Sequence, residues 1–288
     1  MTMPPSLPSA PRVLPPKANA LTELFPKPKP VIGVIHLKPL PGAPRYDGSP
    51  VRDIYEAAVI DARTLSAGGI DGIIVENASD LPFSRPDDIG PETVAGLTAA
   101  CLAVRGAVDL PIGITCVANG VIPALAVAKA VGASWVRANQ WVNAYVANEG
   151  LLDGPAPRAM RYRAAIGAQS VRIFADVHVK FGAHAITADR TVSEQATDAE
   201  WFDADVLIAS GTRTGSPTQP KEIEEVKAGT NLPVIVGSGL SAEQVPSLFA
   251  IAEGAIVGQW LKKDGVWWNP VDPKRVEALM KAVAAART

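Results

Sequence analysis

Val31-Ile-Gly-Val-Ile-His36, the stretch Arg52–Ala67 and Gly72-Ile-Ile-Val-Glu76 together decide the fold. The two outer runs are short and rich in Val and Ile, as buried strands are. Between them Ile54, Ala57, Ala58, Asp61 and Leu65 fall near one face at helical spacing. The three make one β-α-β unit, and the alternation then repeats. Further strand runs are Pro111–Cys116, Ser134–Ala138, Val171–Val177, Val206–Ser210, Leu232–Val236 and Ala255–Gly258. Pro91 stands where a helix would begin, with Glu92 in its first turn, and Ser241-Ala-Glu-Gln244 reads as a capping box opening another. Eight such units at a spacing of roughly thirty residues predict an α/β fold, a closed (β/α)8 TIM barrel. An open doubly wound sheet fits less well, because no GxGxxG comes after the first strand.

The chain has 288 residues, 48% of them hydrophobic, enough for one large core, so residues 20–288 are expected to form a single barrel domain. Pro4, Pro5, Pro8, Pro11, Pro15 and Pro16 remove backbone donors from residues 1–19, which are expected to be a disordered proline-rich tail. Ala20–Phe25 predicts a short helix closing the barrel floor. Net charge is −2, from 27 basic and 29 acidic side chains with no basic stripe, so no nucleic-acid partner is expected. The apolar run Gly120–Ala133 is broken by Pro123 and Lys129 and is too short to span a bilayer, so no transmembrane segment is expected. No signal peptide is evident, and Cys101 and Cys116 suit a reducing compartment as small core residues. The expected location is cytoplasmic and the expected state a homo-oligomer.

In a barrel of this type the loops leaving the C-terminal strand ends build the site. Polar residues concentrate there: His36, Glu76 and Asn77, Thr115, then Arg137, Asn139 and Gln140. The fifth strand ends in Asp176-Val-His-Val-Lys180, and alternation puts Asp176, His178 and Lys180 on one face, at the mouth. A carboxylate, an imidazole and an ammonium can transfer protons or hold a Schiff base; the bland reading is a buried ion pair with a bonded histidine. Glu76 is either a general base or the partner of Arg137. His36 and His178, on opposite strands, could hold a divalent metal with Asp176 or Glu76, but no HxH or HExxH supports it, so a metal is the less favoured reading. Asn77, Asn139 and Gln140 suit hydroxyl recognition, as a sugar would require. Gly237-Ser-Gly239 and Gly258-Gln259, at the seventh and eighth strand ends, predict a phosphate cradle, with Ser210 and Gly211 as extra donors; tight turns alone would also call for glycine. Trp267 and Trp268 read as lid or packing residues.

Several of these motifs in order resemble the BtpA family. They are Val31–Gly42, Gly72–Asn77, Gly90-Pro-Glu-Thr93, Asp176–Lys180, Val236–Gly239, Ile256–Gly258, Lys262–Gly265 and Trp268–Pro273, so the resemblance covers about residues 25–286. It implies a barrel related to those that bind ribulose phosphate, in a family named for photosystem I biogenesis that also has a sugar-metabolism branch. Two stretches depart from the family pattern. Thr115-Cys-Val-Ala-Asn-Gly120 replaces an Asn-Val-Leu-Arg-Asn-Asp-like run, and Phe181 stands where the family often has His.

Two functions are expected on these grounds. The first is an enzyme, an isomerase or lyase, acting on a phosphorylated sugar or related small molecule. In it Asp176 and His178 are the acid/base pair, Lys180 or Arg137 stabilises an oxyanion, and Gly237, Ser238, Gly239 and Gly258 hold the phosphate. The second is a non-catalytic biogenesis factor for a membrane complex.

Overall fold

The computed structural model describes residues 15–211 and 218–287. Its eight barrel strands are β1 (Val31–His36), β2 (Gly72–Glu76), β3 (Ile112–Thr115), β4 (Trp135–Ala138), β7 (Arg172–Asp176), β8 (Val206–Ala209), β9 (Val234–Val236) and β10 (Ala255–Val257). All pair in parallel, and β10 closes on β1, giving the closed barrel that the alternation predicts. Every predicted strand is present. A hairpin of β5 (Ala144–Ala147) and β6 (Gly150–Asp153), which the alternation does not predict, is inserted after β4.

The helices are α1 (Ala20–Leu24), α2 (Val51–Ala67), α3 (Pro91–Ala107), α4 (Val121–Val131), α5 (Ala156–Ala165), α6 (Val192–Trp201), α7 (Pro220–Ala228), α8 (Val245–Phe249) and α9 (Pro273–Ala286). In α2, Ile54, Ala58, Asp61 and Leu65 are buried, so the apolar stripe is the one that packs on the strands. Cys101 and Cys116 are buried in the core, and burial pushes the Cys116 thiol up to about 12. The capping box at Ser241 forms only in part: Gln244 Oε1 accepts from the Ser241 amide at 3.1 Å, but the helix begins at Val245 and is short. No helix of the described residues is long and apolar enough to cross a membrane.

The N-terminal end of the barrel is filled with carbon. Ile32, Ile74, Trp135, Phe174, Val206, Ile235 and Ile256 form one buried cluster, with Leu21 of α1 and Phe25 at its C-terminal end plugging it from below. Trp135 stacks on Phe174 at 5.3 Å and meets Phe25 edge-on at 5.5 Å. Gly113 on the neighbouring strand makes room, since a Cβ there would fall 2.1 Å from the Trp135 indole nitrogen. The tail expected for residues 1–14 lies outside the described residues. Residues 15–19 are docked: Lys17 donates to the Ala204 carbonyl at 3.0 Å, and the Asn19 side chain caps α1. The docked chain therefore starts before the expected boundary at Ala20.

Candidate functional site

Strand register brings the polar ends together. The β1–β2 ladder sets His36 beside Glu76, and the β2–β3 ladder sets Glu76 beside Thr115. Arg137 reaches from β4 to Asp176 on β7, with Nε donating to Oδ2 at 2.8 Å and Nη2 to Oδ1 at 2.9 Å. The pair is buried on both sides. Such a bidentate contact fixes the guanidinium plane and occupies both carboxylate oxygens. Glu76 is thus not the partner of Arg137, and Asp176 is held in an ion pair rather than standing as a free acid.

Above this floor lies a cavity of about 540 Å³, reached by Glu76, His36, Arg137, Lys180, Ser238 and Gln259. That volume suits a small organic ligand. One part of its roof is apolar, where Tyr145 and Ala147 of the hairpin pack with Phe83, Ala118 and Val179, and Asn148 and Glu149 of the same hairpin add polar groups. The roof is tied down where Val146 and Ala183 exchange backbone hydrogen bonds at 3.0 and 2.8 Å. Trp267 lines the cavity, whereas Trp268 is 68% exposed.

Each floor group has its own electrostatic state. Burial raises the Glu76 carboxyl above the ordinary carboxylate range, against the opposing pull of Arg137 and Lys180. Burial, then the Arg137 guanidinium, lower the Lys180 ammonium to about 8. Its hydrogen bond goes to the Ser238 hydroxyl at 3.4 Å. Burial and the Lys262 ammonium lower His36 to about 3, so its ring is neutral at ordinary pH. Its Nδ1 lies 2.7 Å from the Trp267 carbonyl, which can only accept. Nδ1 therefore carries the proton and Nε2 is an open acceptor. The Nε2–Cε1 edge lies against Gly258, where a Cβ would approach both atoms to 3.1 Å.

The expected phosphate cradle is partly in place. Ser238, Gly239, Gly258 and Gln259 line the cavity, and their backbone amides donate to no described residue. The Gly237 amide, by contrast, is taken by the Ala209 carbonyl at 2.7 Å. No long helix of the described residues points its N-terminus here: Gly258 leads into the single turn Gln259–Leu261, and α8 starts beyond Gln244. Ser210 and Gly211 are not in the cavity lining, and the Gly211 amide donates to Glu222 Oε1 at 3.0 Å. A carboxylate of the protein itself claims that loop.

Two other expected residues are placed elsewhere. β7 ends at Asp176, so alternation no longer governs the residues after it. Val179 and Lys180 reach the cavity, but His178 is not among its lining residues and stacks on His184 at 3.6 Å. His36 and His178 therefore do not share a metal site, and the described residues hold no group of three His, Cys, Asp or Glu suited to a metal ion. Asn77 is buried with its amide consumed: Nδ2 donates to Asp80 at 2.9 Å and Oδ1 accepts from the Val117 amide at 2.8 Å. It staples the β2 and β3 loops. Asn139 does line the cavity, with Oδ1 accepting from the Asn119 amide at 3.3 Å.

Solved structures share this barrel. A tryptophan synthase chain from M. tuberculosis superposes with a TM-score of 0.58 at 18% identity, covering 94% of this chain and 100% of that one. Thiamine phosphate pyrophosphorylase from Pyrococcus furiosus gives 0.53 at 16% identity, covering 90% and 96%. Such likeness carries the fold alone. By sequence, an uncharacterized protein of Pyrococcus furiosus is 38% identical over 253 residues, 88% of this chain and 94% of that protein. The photosystem I biogenesis protein BtpA of Synechocystis is 36% identical over 265 residues, 92% and 91% of the two chains. Residues 27–285, nearly the whole barrel with every strand end just described, match the BtpA family, and the chain belongs to it.

Proposed function

We propose that this chain is an enzyme acting by acid/base chemistry on a small phosphorylated compound bound in the barrel mouth. One observation carries the reading. A carboxyl raised by burial, a neutral imidazole and a fixed guanidinium share a cavity floor with four backbone amides on the β9 and β10 loops that donate to none of the described residues. Backbone donors at those two loops are a recurrent phosphate site in barrels. Barrels of the same fold include thiamine phosphate pyrophosphorylase and a phosphoribosyl anthranilate isomerase from Thermus thermophilus, both named for phosphorylated compounds.

The acid/base roles fall to Glu76 and His36 rather than to Asp176 and His178. Glu76, with its affinity for a proton raised, is suited to shuttle one between substrate atoms. His36 Nε2 accepts from a substrate hydroxyl. Arg137, pinned by Asp176, is a fixed positive group for developing negative charge on oxygen. Relatives of comparable identity come from an archaeon, a cyanobacterium and the mitochondrion of a nematode. A shared small-molecule chemistry suits that spread better than assembly of a photosynthetic complex.

The test is binding followed by exchange. Sugar phosphates and inorganic phosphate should raise the melting temperature of the wild type, and Gly239→Val should abolish that shift. In deuterated water, a bound sugar phosphate should exchange a carbon-bound proton, read by NMR, and Glu76→Gln should stop the exchange. A wild type that shows no shift at millimolar phosphate ester defeats the proposal.

A further inference from the structure

We infer that Lys180 is the amine that forms an imine with the carbonyl carbon of a small phosphorylated aldehyde or ketone. The inference rests on the phosphate reading above and deepens it. Its basis is a contrast between two lysines, Lys262, which is buried, and Lys180, which is half-buried at the cavity wall. Lys262 is 1% exposed and donates to Asp61 Oδ2 at 2.8 Å, and Asp61 Oδ1 is held in turn by the Val271 amide. That ammonium has its counter-ion. Lys180 extends into the cavity with no carboxylate of the described residues in ion-pair range, and its hydrogen bond is a long one to a neutral hydroxyl. Of the two carboxylates that act on it, Asp176 is occupied by Arg137, and Glu76 shares the cavity without forming an ion pair with it. Partial burial with no counter-ion in range favours the free amine, the form that attacks carbonyl carbon. The Arg137 guanidinium adds to that preference, and the lowering of Lys180 to about 8 agrees with the geometry.

The step balances without another reactant. The Nζ lone pair forms the C–N bond, and the carbonyl oxygen takes one proton from Nζ and one from the Glu76 carboxyl. The C–O bond then breaks and water leaves. The product is a protonated imine beside the Glu76 carboxylate, a charge pair in place of two groups that burial had held toward neutrality. The amides of Ser238, Gly239, Gly258 and Gln259 are left to hold the phosphate. The protonated imine withdraws electrons from the adjacent carbon, whose proton or carbon–carbon bond becomes the labile one. This assigns the substrate class: a carbonyl carbon within a few bonds of a phosphate.

Trapping decides it. Wild-type protein is incubated with dihydroxyacetone phosphate and cyanoborohydride at pH 8, then digested and mapped by mass spectrometry. The expected result is a reduced adduct on Lys180 at least ten times as abundant as on exposed Lys221 or Lys263. Inorganic phosphate should suppress it, and dihydroxyacetone should label Lys180 far less. Lys180→Arg should lose the adduct while keeping its melting temperature. Should that variant fail to fold, trace acetylation of the wild type between pH 6 and 11 answers the same question, with a Lys180 midpoint near 8 against about 10.4 for exposed lysines. Equal labelling of Lys180 and the exposed lysines overturns the inference. Stabilisation by dihydroxyacetone phosphate with no adduct overturns the imine and leaves the phosphate reading standing. Neither stabilisation nor adduct overturns both.

Discussion

The two ends of the barrel are built from the same strands on opposite principles. At the bottom, Trp135, Phe174 and Phe25 are closed off by α1, and the contacts are carbon on carbon. At the mouth, Glu76, His36 and Lys180 are half-buried around the cavity, and the proton affinity of each is moved from its ordinary value. A bottom of this kind lowers the free energy of the fold; a mouth of this kind raises it. The difference teaches where to look for chemistry: burial that stabilises nothing is kept for another reason.

The largest effects should come from breaking what the stabilising regions have completed. Asp61→Ala leaves Lys262 buried without a counter-ion and the Val271 amide without its acceptor. It should cost about 3–5 kcal/mol in denaturant unfolding, or prevent folding. Trp135→Ala removes the centre of the bottom cluster and should likewise cost about 3–5 kcal/mol, by lost transfer energy and the cavity left behind. A loss below about 1 kcal/mol in either variant would mean that the region relaxes freely and is not the rigid base described.

The same operation at the mouth should do little to stability or improve it. Lys180→Met replaces an ammonium lacking a counter-ion with a side chain of similar length. Stability at pH 7 should stay level or rise by about 1 kcal/mol, while the imine adduct is lost and phosphate esters still bind to the backbone amides. A destabilisation comparable to that of Asp61→Ala would erase the distinction between the ends.

Acid sharpens the contrast. The His36 imidazole titrates near 6.5 when unfolded and about 3 when folded, so the unfolded chain binds more protons between those values. Its contribution to stability is present above pH 6.5 and lost as pH falls through that window. The slope is about 1.4 kcal/mol per pH unit for one proton. His178, lowered to about 4, adds a second proton between pH 4 and 6.5. Urea unfolding of the wild type at pH 7, 6, 5 and 4 should show the summed slope, and His36→Gln should remove one proton of it. An unchanged slope in His36→Gln would show that the folded imidazole is protonated and not the open acceptor proposed.

The barrel is legible in the sequence because each strand is a short Val- and Ile-rich run, and parallel pairing of such runs needs little more than alternation with helices. Glu76, Arg137, Lys180 and the Gly237–Gly239 and Gly258–Gln259 turns are legible as strand-end residues for the same reason. The illegible features depend on partners distant in the chain. Asn77 is indistinguishable in sequence from a sugar-binding amide until Val117, 40 residues on, claims it. Glu222 takes the Gly211 amide from inside a helix with no local mark of doing so. The hairpin leaves a faint trace, Asn148-Glu149 before Gly150, which turns with a φ of +98°. Its two strands are four residues each and interrupt a βα loop where the repeat leads one to expect no strand.

The smallest expected effect tests the boundary between the end of a strand and the mouth it serves. Alternation would put His178 with Asp176 and Lys180, so that His178→Ala would abolish ligand response. The strand stops at Asp176, and His178 instead lies flat on His184, whose Nε2 is 2.8 Å from the Val179 carbonyl and whose ring faces Tyr145 at 5.8 Å. That stack props the loop carrying Val179 and Lys180 against the hairpin roof. His178→Ala should therefore cost about 1 kcal/mol of stability, the size of one stacked aromatic contact. The thermal shift with phosphate esters should be kept, because no atom of His178 lines the cavity. Denaturant unfolding and the ligand melt, run on the same preparation, separate the outcomes. Loss of the ligand shift at undiminished stability would return His178 to the mouth and extend the costly, functional region one residue pair beyond where β7 ends.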